Sequence, residues 1–511
     1  MELSSLLHDF HLSSSSEKPL PCSSLPPITE LLSRLQEKLI GASSDSETSS
    51  LIGRVERLFQ TADPCWLFSA NGDEEWAELQ AAYGALVGAL IGCAALPPCE
   101  DDCGSLPASV YQSIPGRAGP VCSALAALLR TVGNAGCPTG LLLAVAAPVC
   151  VFAVTHFQDQ VWTSSSSRAA AQSLQEVLLR AGGWRDSSHL LMGDKRREEQ
   201  GGEEGRRSRG LLGGILDVLQ PQLTKDSWQR CEAVKLVFSW TLLQVTRPSL
   251  SPHLSHLLPP SLLLNDHYRP ENCILGVRCL HHIVLNTPAA DLRLFNRAEV
   301  LYQALFKHLY TSETAVIQPA LSCLLDLLVV LEKPPLSLGP SSSRRTSCRH
   351  DDVLRLVLTH MEAEQKVALR RVYASALPLY IDRMGVAVCR HLRQVERVVL
   401  GYLEVRDPPE ETSRLNILEV LKITTREAWP RMACRVDVLL RCLLKLLVAV
   451  SSDSGLSVSV RQTLMNQTCL CLKLLDGCCH GDVQRLLQQV DSSCCSSEVL
   501  SCLATVTVTN S

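Results

Sequence analysis

Apolar residues recur along most of this chain at intervals of three and four, the spacing that sets them on one face of an α-helix. Ile28, Leu31, Leu32, Leu35, Leu39 and Ile40 make the first such stripe, and Leu51, Val55, Leu58 and Phe59 repeat it. From Glu271 the run ENCILGVRCLHHIVLN sets Ile274, Val277, Cys279, Leu280, Ile283 and Val284 on a broad apolar face, and Asn286-Thr287-Pro288 predicts its end. A second helix is expected through Leu292, Leu294, Val300, Leu301, Ala304, Leu305 and Leu309. Thr311-Ser312-Glu313 then opens a third, which carries Val316, Ile317, Leu321, Leu324, Leu325, Leu328 and Leu331. Strand-like alternation is almost absent.

One such helix pair cannot bury its own apolar face, but pairs stacked on their neighbours share a continuous core. The pattern therefore predicts an all-α protein, an α-solenoid of degenerate HEAT/armadillo-like repeats of roughly 40 residues. Stretches without periodicity divide it. Residues 1–27 are a Ser/Pro-rich leader, 193–210 a charged Gly-rich linker, and 334–350 a Pro/Ser-rich linker. Between them stand helical blocks at 28–192, 211–333 and 351–492, with a tail at 493–511.

Composition sharpens this picture. The 511 residues are 46% hydrophobic but only 5% aromatic, a balance suited to helix-on-helix packing. A net charge of −4 gives no field that would hold nucleic acid by counterion release. The 23 cysteines sit at scattered apolar positions such as Cys279, Cys323, Cys389 and Cys442, which reads as reduced thiols of a cytoplasmic and nuclear protein. The opening MELSSLLHDF lacks a basic segment and carries Glu2 and Asp9, so secretion is not expected. The apolar runs 83–96 and 141–154 are short of the ~20 residues a membrane span needs, and Pro148 interrupts the second.

No GxGxxG, GxxxxGK[ST], GxSxG or HExxH pattern occurs, and no catalytic residue or cofactor is assigned. The cysteine-rich end, Cys469, Cys471, Cys478, Cys479 and His480, lacks the paired spacing of a zinc knuckle and reads as buried thiols, and no metal is assigned to the Cys99 and Cys103 pair in its Pro-flanked acidic loop. Adjacent His281 and His282 point about 100° apart on a helix, which excludes a shared ligand. Asp351-Asp352 reads as a helix cap. One charged feature stands out: Lys366, Arg370, Arg371, Arg383, Arg390, Arg393 and Arg397 face only Asp382 and Glu396 across the same stretch. With Arg390, Arg393 and Arg397 at helical spacing, the six arginines are a candidate ridge for an acidic partner surface.

Several long segments carry a resemblance. These are VFSWTLLQVTRPSLSPHL from Val237, ENCILGVRCLHHIVLNTPAADLRLFNRAEVLYQALFKHLY from Glu271 to Tyr310, and DDVLRLVLTHMEAEQKVALRRVYASALPLYI from Asp351. The run RQVERVVLGYLEV from Arg393, the Trp429-Pro430-Arg431 turn and PVCVFAVTHFQDQVWTSSSSR from Pro148 belong with them. Together they resemble the Tel-two-interacting protein two (Tti-two) family. The resemblance implies a non-enzymatic scaffold subunit of the Triple T (TTT) co-chaperone complex, with Tel-two and Tti-one as partners. It further implies support for the maturation of phosphatidylinositol-3-kinase-related kinases of the mTOR, ATM and ATR class, with the Hsp-ninety and R-two-TP chaperone machinery. DNA-damage and growth signalling would follow indirectly. The alternative reading is a helical-repeat transport or cargo adaptor, for which a regular ladder of Trp and Asn would be expected; Trp228, Trp240 and Trp429 form none.

Overall fold

A computed structural model describes residues 26–70, 72–99, 106–135, 139–193, 210–332, 348–479, 481–490 and 495–507. Most of the leader and both linkers, Cys103, His480 and the last residues of the tail lie outside the described residues. The chain divides into two compact units, 1–260 and 261–511.

In the first unit, α1 (Ile28–Gly41) and α2 (Asp45–Thr61) form on the first two stripes, and Ser44 starts α2 by accepting the Glu47 N–H. The short α3 (Pro64–Leu67) precedes α4 (Asp73–Cys93), α5 (Ile114–Asn134), α6 (Thr139–Phe157) and α7 (Ser165–Gly182). Ser164 and Ser167 cap the start of α7 reciprocally, and Gly183, at φ 67°, ends it in the left-handed region that glycine adopts without strain. The unit continues with α8 (Ser187–Met192), α9 (Leu212–Leu219) and α10 (Glu232–Gln244). Helices α1, α4 and α6 pack side by side as one layer and α2, α5 and α7 as the other, so each consecutive pair crosses between layers. Leu31, Leu35, Tyr83, Leu86, Leu125 and Leu129 fill the space between them.

The boundary between units falls within α11 (Leu254–Asn265). The second unit holds α12 (Pro270–Asn286), α13 (Ala289–Arg293), α14 (Arg297–Phe306), α15 (Thr314–Leu331), α16 (Arg349–Ala363), α17 (Val367–Met384), α18 (Leu392–Glu404) and α19 (Thr412–Glu427). It ends with α20 (Val436–Ser452), α21 (Val458–Cys478), α22 (Asp482–Leu487) and α23 (Ser497–Thr507). Successive contacts run α12 to α15 to α17 to α19 to α21 in one layer and α16 to α18 to α20 in the other. The pairs α14–α15, α16–α17, α18–α19 and α20–α21 join the layers. No strand occurs among the described residues, and the fold is the all-α solenoid of degenerate repeats that the periodicity predicts. In unit two, Gly276 on α12 allows the close approach of α11: a Cβ there would lie 2.2 Å from the Asn265 nitrogen.

Two local expectations change. The helix expected through Leu292 to Leu309 is broken, because Phe295 (φ 54°) and Asn296 (φ 59°) enter the left-handed region and separate α13 from α14. Asparagine tolerates that backbone, whereas Phe295 is strained there and 84% exposed. The apolar run at 141–154 belongs to a longer helix, since α6 continues through Pro148 at the cost of one intrahelical hydrogen bond. By length and composition alone, Gly140–Phe157 and Thr314–Leu331 could each cross a membrane. Each has more than half of its residues buried inside the protein, as core helices do.

Candidate functional site

The arginines of the basic stretch take up different roles. Arg370, on α17, is buried, with its guanidinium carbon 3.7 Å from the centre of the Tyr402 ring and its N–H groups donating to the Glu364 and Gly401 carbonyls. The next residue, Arg371, donates to the buried Asp407 carboxylate at 2.6 Å and to the Pro408 carbonyl at 2.9 Å. Arg383 is half-buried near His350. Arg390 is not on the helix of the others. It ends a 3-10 segment, Gly385–Arg390, opened by Gly385 at φ 53°, and reaches Asp351 of α16 at 2.8 Å. Only Arg393 and Arg397 share the outward face of α18; Arg397 pairs with Glu362 at 2.9 Å, and Arg393 is exposed.

Asp351 anchors this region. It sits at the third position of α16 and closes a capping box, its Oδ2 accepting the Cys348 N–H at 3.1 Å. Arg390 donates to Oδ2, and His391 lies 2.8 Å from Oδ1. Burial alone would raise its pKa, but the hydrogen bonds from His391 and Cys348 and the Arg390 charge outweigh it and hold the carboxyl below its usual range. The cap reading of Asp351-Asp352 thus describes half of what Asp351 does. Beside it, a cluster that spacing did not single out brings Glu332, Cys348 and His350 together, their ligand-capable atoms all within 4.8 Å of one another. Its only signal in the sequence is a Cys-x-His step at the edge of the second linker.

The other residues singled out pack within the helical stack or on its surface. Cys469 and Cys471, which leave α21 in different directions, are both buried because α19 covers one side and α23 the other. Burial pushes both thiols up to about 12 and Cys479 up to about 11. His281 is partly buried with its Nε2 2.9 Å from Asp326 of α15, and His282, also partly buried, faces Asn286. Trp228 is buried, Trp240 packs edge-on against Phe157 at 5.8 Å, and Trp429 is exposed. In the first unit a cavity of about 460 Å³ is lined mainly by apolar side chains, among them Leu96, Pro98, Phe152 and Val237. His156 borders it with an unpartnered Nδ1, and burial lowers its pKa to about 4.

No family model matches the chain. Among solved structures, crystal structures of the karyopherin Kap121p superpose with TM-scores of 0.42 and 0.43 at 14% and 13% identity. They cover 96% and 91% of this chain but only 50% and 44% of those proteins. Among curated proteins, human TELO2-interacting protein 2 is 48% identical over 351 residues, which cover 68% of this chain and 67% of that protein. Mouse TELO2-interacting protein 2 is 45% identical over 404 residues, 78% of this chain and 76% of its own. The rat protein of that name is 44% identical over 76% of this chain and 72% of its own. Identity at this level across that much of both sequences places the chain in a family, and that family is TELO2-interacting protein 2.

Proposed function

We propose that this chain is a non-enzymatic scaffold that binds TELO2 and serves as a subunit of the Triple T co-chaperone complex. Its task there is to support the maturation and stability of phosphatidylinositol-3-kinase-related kinases in the cytoplasm and nucleus. The observation that carries this reading is the 44–48% identity to curated proteins named for their interaction with TELO2. The fold supports it. A two-layer helical stack exposes long, rigid helix faces, and binding through them rests on shape and buried area rather than on bond chemistry. The thiols of Cys122, Cys150 and Cys279, pushed up to about 12 by burial, are inert rather than nucleophilic.

The test is co-expression of the full chain with TELO2 and Tti-one, followed by affinity capture and size-exclusion chromatography. A stoichiometric complex that stays together through the column supports the proposal. Recovery of the chain without TELO2, from cells in which both are abundant and folded, overturns it.

A further inference from the structure

We propose that Glu332, Cys348 and His350 form a zinc site that clamps the carboxy-terminal end of α15 to the amino-terminal end of α16. The three residues offer a carboxylate oxygen, a sulfur and an imidazole nitrogen within 4.8 Å of one another. That mixed donor set suits zinc better than a hard cation such as magnesium or calcium, which takes oxygen ligands.

Capping and ion pairing account for two of the three side chains. Cys348 caps α16, its thiol donating to Asp351 Oδ2 at 3.3 Å. Glu332 accepts from the Arg349 guanidinium at 2.8 Å and from the Arg349 backbone N–H at 2.9 Å. Neither contact explains His350. Its ring is 2% exposed, neither nitrogen makes a hydrogen bond, and Nδ1 lies 3.6 Å from Glu332 Oε2. Buried polar groups are nearly always partnered, and one turned toward a carboxylate and a thiol has the arrangement of a ligand.

The surroundings supply the outer contacts a metal site needs. Arg349 fixes the Glu332 carboxylate and is itself held by Glu299 at 2.7 Å. The Arg390 guanidinium pairs with Asp351 and His391 lies within hydrogen-bond distance of it, so its carboxylate does not repel a neighbouring thiolate unopposed. On binding, the Cys348 thiol gives its proton to solvent as the Zn–S bond forms, and the His350 ring enters as the neutral imidazole. Bonds of about 2.0–2.3 Å to a tetrahedral ion require ligand atoms roughly 3.3–3.8 Å apart. His350 Nδ1 and Glu332 Oε2 already meet this at 3.6 Å, and side-chain rotation must draw in any pair near the 4.8 Å limit by up to about 1 Å. Water would complete the tetrahedron. The ion would join two helix ends sixteen positions apart in the chain, a link absent when unfolded.

The full chain, stripped with chelator and dialysed against trace zinc, should retain about one equivalent by plasma mass spectrometry and melt at a higher temperature than the stripped protein. Cobalt(II) in place of zinc should give a thiolate-to-metal charge-transfer band in the near ultraviolet. Cys348→Ser preserves the cap, since serine is favoured at that position, and should abolish the band and weaken zinc binding by at least about ten-fold. His350→Ala should weaken it similarly, whereas Cys434→Ser, at an exposed thiol, should leave both readouts unchanged. Zinc at background in the wild-type chain, cobalt bound without the band, or a band that survives Cys348→Ser overturns the proposal.

Discussion

A single buried histidine gives the first unit a built-in sensitivity to acid. His156 is 1% exposed, its ring packs 4.6 Å from that of Phe152, and burial holds its pKa near 4 against an ordinary 6.5. When unfolded, the ring takes a proton as the pH falls through 6.5, while the folded ring resists until about 4. The unfolded state therefore binds more protons across that window, and stability falls as the pH drops through it. A shift of this size amounts to about 2 kcal/mol lost between pH 7 and pH 5. His156→Leu keeps the apolar contacts and removes the titration. Urea unfolding at the two pH values should show the wild type losing about 2 kcal/mol more than the variant, and equal losses would show that His156 does not carry the effect.

At the scale of elements, the stretch from Lys366 to Arg397 separates arginines that hold helices together from arginines that face outward. Arg371 ties α17 to the loop before α19, where Asp407 also accepts the Ser413 N–H at 2.8 Å. Arg371→Ala leaves the buried Asp407 carboxylate without that cationic partner, and should cost about 2–3 kcal/mol in urea unfolding. Arg393→Ala, at an exposed position, should stay within about 0.5 kcal/mol of wild type. A small effect of Arg371→Ala would assign Asp407 to another partner. Local signals made the helices legible: the stripes of α1 and α2 and the stop at Asn286-Thr287-Pro288 are all where periodicity and capping put them. What spacing could not show was set by distant neighbours. Arg370 is buried by Tyr402 on the next helix, Arg371 answers to a residue 36 positions away, and His350 meets Glu332 at the end of the preceding helix. The break at Phe295-Asn296 escaped because the apolar period runs on through a backbone that does not.

For the molecule as a whole, the question is which face a partner meets, and the arginines that remain outward narrow it. The chain carries a net charge of −4, so a locally basic helix face is set against its surroundings rather than part of a general field. Arg393 and Arg397 lie one turn apart on α18, and the single ion pair of Arg397 with Glu362, more than half exposed on the arginine side, contributes little to stability. Two exposed guanidinium groups there suit bidentate contact with carboxylates of an acidic partner surface. The double variant Arg393→Glu and Arg397→Glu should leave the circular dichroism spectrum and the melting temperature unchanged, because neither side chain fills the core. Its affinity for TELO2, measured by biolayer interferometry, should fall by about ten-fold, chiefly through slower association. Wild-type binding should also weaken more steeply with added salt than binding by the variant, since screening acts on the charges the variant has reversed. Equal affinities and equal salt dependence would move the contact off α18.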